Sequence, residues 1–176
     1  MSFRRLNMQL RKTRIIFAVS GTAALLAGCV ISEKEMVLAP VGPAPTAPPI
    51  PGTTNGVLKV YSAFQTSAAF NQRDPYRREF SDYRIFFPAG KLLQVVHNDS
   101  GMKAGSPVLA ELPAGNYRVV ARANGYGTVI IPVLIEPGRV TTIHLEGGSW
   151  PEESAFEKTN AVRLPDGQFV GWRAAG

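Results

Sequence analysis

Between residues 57 and 145 the sequence breaks into short apolar segments separated by turn residues, and nothing there repeats at helical spacing. That texture limits the fold more than any other feature. Strands are expected at 57–64, 82–87, 92–98, 108–112, 117–123, 128–135 and 140–145. In the second of these Tyr83, Ile85 and Phe87 share a face, and in the fifth Tyr117, Val119 and Ala121 point inward while Arg118 and Arg122 point out. Asn124-Gly125 and Pro137-Gly138 are turn dipeptides, the latter in the order a type II turn requires. Pro132 has no amide proton to give to a ladder, which places it at an edge or a bulge. Seven short strands within about 90 residues, with no long amphipathic helix, predict an all-β fold: an antiparallel sandwich.

The flanks read differently. From Pro40 to Pro51 six prolines interrupt the chain. Such a run favours extended polyproline-like backbone, so 29–55 is expected to be a stalk, with the sandwich at 56–148 and autonomous from about Thr53. Pro45-Thr46-Ala47-Pro48 also has the form of a PxxP ligand, but in an exported chain a spacer that lifts a domain off the bilayer is the favoured reading. At the other end, Ser149 and Glu152 have the spacing of a capping box around Pro151. Residues 149–176 are therefore expected to form a helical turn and then a β-hairpin about Asp166-Gly167, with Leu164 opposite Phe169.

The formal charge of +6 invites a nucleic-acid reading, but position removes it. Five of the 19 basic residues (Arg4, Arg5, Arg11, Lys12 and Arg14) precede the first acid, leaving 14 basic against 13 acidic residues. Those five lead into the apolar run 15–27, too short for a membrane span, which needs roughly 20 residues. The run ends at Leu26-Ala27-Gly28-Cys29, and Cys29 is the single cysteine. This layout is that of an export signal, and its last four residues resemble the lipobox of bacterial lipoproteins. The resemblance implies a signal peptide over 1–28, cleavage before Cys29 and a covalent lipid on its thiol, with no other cofactor. It also implies a lipid-anchored protein of the cell envelope. Val30, where aspartate favours retention at the inner membrane, points to the outer membrane, facing the periplasm.

A second resemblance lies in 112–147, with its Leu112-Pro113-Ala114-Gly115-Asn116-Tyr117 turn, Gly125-Tyr126 and a glycine turn between two strands. It is similar to the second half of carboxypeptidase regulatory-like, transthyretin-like and PEGA domains. The resemblance implies an Ig-like or transthyretin-like sandwich, with Tyr117 in the role of a tyrosine corner. It also implies an adhesive or interaction module rather than an enzyme. Small transthyretin-like lipoproteins of type VI secretion share the same architecture of lipobox and sandwich.

No motif for catalysis or metal binding is present: no HExxH, no Walker loop and no GxSxG. His97 and His144 are the only histidines, and His144 is expected on the exposed face of its strand, opposite Ile143 and Leu145. Asp99 and Glu111 read as surface acids. The candidate binding residues are Arg73, Tyr76, Arg77 and Arg78 in the charged run 70–80, suited to an anionic glycan, a phosphate headgroup or an acidic partner. Tyr126, Trp150 and Trp172 are suited to stacking on sugars or filling a partner's pocket. The expected function is a non-catalytic protein-binding or structural module, with a carbohydrate- or peptidoglycan-binding module as the alternative and an enzyme third. If Cys29 is the lipidation site, Cys29→Ser yields a product without acyl mass that is uncleaved or soluble. A wild-type protein of unmodified mass in the soluble fraction would refute this.

Overall fold

The computed structural model describes residues 35–66, 78–98, 106–147 and 159–175. The chain contains almost no described helix and is built from β-strands in packed sheets. The strands are β1 (Met36–Val37), β2 (Val41–Gly42), β3 (Asn55–Tyr61), β4 (Phe64–Thr66), β5 (Arg78–Phe80), β6 (Tyr83–Phe86) and β7 (Leu92–Val96). They are followed by β8 (Leu109–Pro113), β9 (Gly115–Ala123), β10 (Gly127–Ile135), β11 (Val140–His144), β12 (Ala161–Arg163) and β13 (Phe169–Arg173).

The longest pairing is β9 with β10, antiparallel from Gly127↔Ala123 to Ile135↔Gly115. Strict alternation sends Tyr117, Val119, Ala121, Val129, Ile131, Val133 and Ile135 inward, all buried. The Tyr117 hydroxyl donates to the Pro113 carbonyl at 2.9 Å, closing the corner that leads into β9. Around this pair the large sheet runs β12-β13-β2-β10-β9-β6-β7, with β1 also on β10. A three-stranded sheet, β11-β3-β8, supplies Leu58, Val60, Ala110, Leu112 and Ile143 to the same core. The two sheets thus share one buried apolar interior. β4 and β5 form a separate two-stranded sheet.

The pairing is mixed rather than purely antiparallel. β3 and β11 run parallel, as do β1 and β2 against β10. The connection from β10 to β11 turns at Pro137-Gly138, where Gly138 takes φ +66° and the Arg139 amide returns to the Glu136 carbonyl at 3.3 Å. This tight turn nevertheless delivers β11 to the opposite sheet, beside β3.

Part of the expected stalk is structural. β1 and β2 lie within 29–55, and Val41 is wholly buried between β10 and β13. The reason is local: Val41 and Gly42 stand between Pro40 and Pro43 and keep their own amides, so two residues suffice for a short pairing. β13 then pairs with β2 through Trp172↔Gly42 and Arg173↔Val41. Gly171 is required here, because a Cβ would lie 2.7 Å from Val41 Cγ1 and 2.8 Å from the Thr142 carbonyl. The segments before 56 and after 148 therefore belong to the same packed unit, Glu33–Gly176.

Pro132 sits in β10, which is flanked on both sides and is not an edge. The Leu38 amide donates to the Ile130 carbonyl at 2.9 Å, so the backbone of residue 132 faces the same side, toward β1 and β2. It falls in the gap between the end of β1 and the start of β2, where no donor is needed. Phe87 lies past the end of β6 and is 37% exposed, yet its ring meets that of inward-facing Tyr117 at 6.1 Å, so it sits at the open end of the face of Tyr83 and Ile85. The pairing of β12 with β13 sets Arg163, not Leu164, opposite Phe169, because the register shifts between Val162 and Arg163. The expected helical turn falls on 149–158, outside the described residues.

Two tests follow from this architecture. A chain beginning at Thr53 lacks β1 and β2, so it should be less stable than one beginning at Glu33 by on the order of 2–3 kcal/mol, the worth of one buried valine; equal melting temperatures would contradict the pairing. Tyr83 is almost wholly buried and its hydroxyl has no hydrogen-bond partner among the described residues. Burial pushes its pKa above the usual tyrosine range, so the folded state holds the proton more tightly than the unfolded chain. The associated stability is present below about pH 10 and falls as pH rises beyond it. Tyr83→Phe should be neutral or stabilising by up to about 1 kcal/mol at pH 7 and should flatten that alkaline loss, read from urea melts at pH 7 and pH 11.

Candidate functional site

The outward face of the small sheet carries the most distinctive constellation. Alternation in β3 buries Leu58 and Val60 and turns Lys59 and Tyr61 outward. The parallel register sets His144 of β11 directly beside Tyr61. Their rings stack at 4.6 Å with planes 14° apart. From Tyr61 the row continues edge-on to Phe80 at 5.5 Å and from Phe80 to Phe64 at 5.1 Å. From His144 it runs to Phe169 at 6.2 Å and on to Trp172 at 5.4 Å. Six rings thus connect the C-terminal strand pair to β4 and β5. Lys59 Nζ stands 4.7 Å above the Tyr61 ring, and His144 Nδ1 lies 3.0 Å from Glu146 Oε1.

This arrangement corrects one expectation. His144 does point away from Ile143, as alternation requires, yet it is only 3% exposed. Its face is covered by rings from elsewhere in the chain, Tyr61 on one side and Phe169 on the other. Strand periodicity identifies the face a residue takes; it does not reveal what lies over that face.

The candidate binding residues separate. Trp172 is half-buried at one end of the ring row. Tyr126 is half-buried in the turn between β9 and β10, and its hydroxyl accepts the Asp166 amide at 3.1 Å. Its pKa is raised, by partial burial first and by the neighbouring Asp166 second. Tyr126 therefore ties two turns together, at the end of β13 remote from Trp172. Arg78 opens β5, its backbone opposite Thr66. The Arg78 side chain lies outside the described residues, as do Cys29, Arg73, Tyr76, Arg77 and Trp150. The row of rings thus links Trp172 to the strand pair that begins with Arg78, which sequence spacing alone did not reveal.

The other polar groups serve the fold. Asn98, fully buried, donates from Nδ2 to the Val60 carbonyl at 2.9 Å and to Ser62 Oγ at 3.0 Å, and accepts the Val108 amide at 2.9 Å. Ser62 Oγ in turn donates to the Ser81 carbonyl. Asp82 accepts the Asn98 amide at 3.1 Å and pairs with His97 Nδ1 at 2.7 Å on the surface. His97 and Asp82 have the form of an oriented base, but the Ser62 hydroxyl is directed to backbone rather than to the imidazole. Glu111 accepts from Asn55 Nδ2 at 3.2 Å, and Asp99 lies outside the described residues. Among the described residues no three His, Cys, Asp or Glu side chains gather as a metal site, and no helix is long and apolar enough to cross a membrane.

No family model, curated protein or solved structure matches the chain. Trp172→Ala removes the terminal ring of the row from a half-buried position. It should cost about 1.5 kcal/mol, seen as a melting temperature lower by roughly 5 °C. An unchanged melting curve would mean that the indole contributes nothing to the fold.

Proposed function

We propose that this chain is a lipid-anchored lipoprotein of the cell envelope whose β-sandwich is a non-catalytic protein-binding or structural module. The observation that carries the reading is the leader: five basic residues, a short apolar run and Leu26-Ala27-Gly28-Cys29, with the chain's only thiol at the lipidation position. Diacylation of Cys29, with a further acyl chain on its amine, anchors the protein durably, since each buried methylene contributes about 0.8 kcal/mol. The export signal and Val30 after the cysteine support a position at the outer membrane, facing the periplasm.

Support for a module without catalytic chemistry comes from how the described polar residues are used. Asn98 and Ser62 hold backbone groups of their own core, and His144 is enclosed by rings and a carboxylate. The finer fold we propose is the Ig-like or transthyretin-like arrangement of carboxypeptidase regulatory-like and PEGA domains. It is supported by two sheets over one core and by the Tyr117 corner beside the 112–117 turn. A second reading, recognition of an envelope glycan, has a specific observation in its favour: Trp172 remains part-exposed at the end of a continuous row of rings, and such an aromatic can stack on a sugar.

Cross-linking in intact envelopes followed by purification of the acylated protein distinguishes the two. A stoichiometric protein partner, lost on Trp172→Ala at temperatures where that variant remains folded, is the expected outcome. Retention on isolated peptidoglycan with no cross-linked protein would favour the glycan reading and displace the first.

A further inference from the structure

The outward face of the large sheet has a character different from the ring-bearing face. The strand registers define it as a grid. One row runs Leu92, Phe86, Arg118, Pro132, and the next runs Val95, Arg84, Val120, Ile130, Val37. Arg122 and Thr128 follow as a neighbouring outward pair. Three of these positions are arginine, seven are apolar and none is acidic; of the apolar ones Val120 is buried at 9% exposure and Phe86, Ile130 and Pro132 are half-buried. The nearest carboxylates in sequence, Glu35 and Asp82, lie beyond the strand ends, and Asp82 is already engaged by His97. Several apolar members are unusually open: Val37 is 65% exposed, Leu92 46% and Val95 44%. Arg118 lies over the Phe86 ring, its guanidinium carbon 5.3 Å from the centroid, so cation and apolar surface are interleaved.

Open Val37, Leu92 and Val95, interleaved with arginines that have no acidic partner among the described residues, match an anionic bilayer surface, where the cations meet headgroup phosphates and the apolar groups enter the boundary region. The route of the chain agrees. Val37 itself belongs to β1, and only residues 30–35 separate Cys29 from β1, a reach of about 20 Å when extended. We propose that the outward face of β7, β6, β9, β10 and β1 rests on an anionic lipid surface. The tether argument depends on acylation of Cys29; the charge and apolar pattern does not.

The test therefore omits the leader and the anchor. It uses the chain from Glu33, which contains every described strand and the whole core cluster. This protein should sediment with vesicles of phosphatidylglycerol mixed into phosphatidylcholine, and not with pure phosphatidylcholine. Binding should weaken as salt rises. Arg84→Gln, Arg118→Gln and Arg122→Gln should each lower affinity about fivefold, and Leu92→Ser with Val95→Ser should lower it further. Arg118→Lys keeps the charge and should bind as the parent does, which separates charge loss from misfolding. Lys59→Gln, on the opposite sheet, should have no effect. Absence of vesicle binding, equal binding to both vesicle types, or equal losses from Lys59→Gln would each overturn the proposal. The acylation state of the full chain, measured separately, reports on the anchor alone.

Discussion

The nine-residue ladder between β9 and β10 is the element on which the rest of the structure depends. It is the longest pairing, its inward side chains form the centre of the core, and buried Val120 alone interrupts its alternation of buried and open positions. β6 extends it on one side, and β1 and β2 extend it on the other. Its two ends also reach the second sheet. The turn at Gly138 passes the chain to β11, and the Asn124 amide donates to the Leu145 carbonyl at 2.9 Å. Apolar burial against this pair offsets the entropy of ordering strands of only two or three residues that would not persist alone.

The contribution of the chain's flanks follows from that ladder. β10 leaves an edge that a long, regular strand would normally fill, and it is filled instead by two short parallel pieces with proline between and after them. Val41 contributes a wholly buried side chain there, with Met36, Leu38 and Ala39 packed half-buried against the same core, and Gly171 lets β13 approach closely enough to cover it. The same approach carries Phe169 over His144. Closing the sheet and completing the ring row are thus one packing event, and segments more than 100 residues apart in sequence depend on each other.

The result is a molecule with two unlike outer faces. One presents a row of rings, some stacked and some edge-on, with Lys59 above Tyr61; the other presents arginines among aliphatic side chains. Alternation makes this possible, since every outward position is free of the demands of the core. On the proposed reading, the arginine-bearing face would meet lipid and the ring-bearing face would remain available to a partner.

Local pattern determined a good deal. The seven strands expected from 57 to 145 correspond to β3 and β6 through β11, because a half-buried strand writes its burial into period-two alternation. The Gly138 turn and the Tyr117 hydroxyl contact were legible for the same reason: each involves residues within a few positions of one another. What alternation does not encode is partnership across distance. It gave no sign that β3 would pair in parallel with β11, that Val41 would be buried beneath a strand from the C-terminus, or that His144 would be enclosed. Those outcomes depend on which surfaces meet once the sheets close, where burial of a few apolar side chains outweighs the preference of a proline-rich chain to remain extended and of a histidine to remain in water.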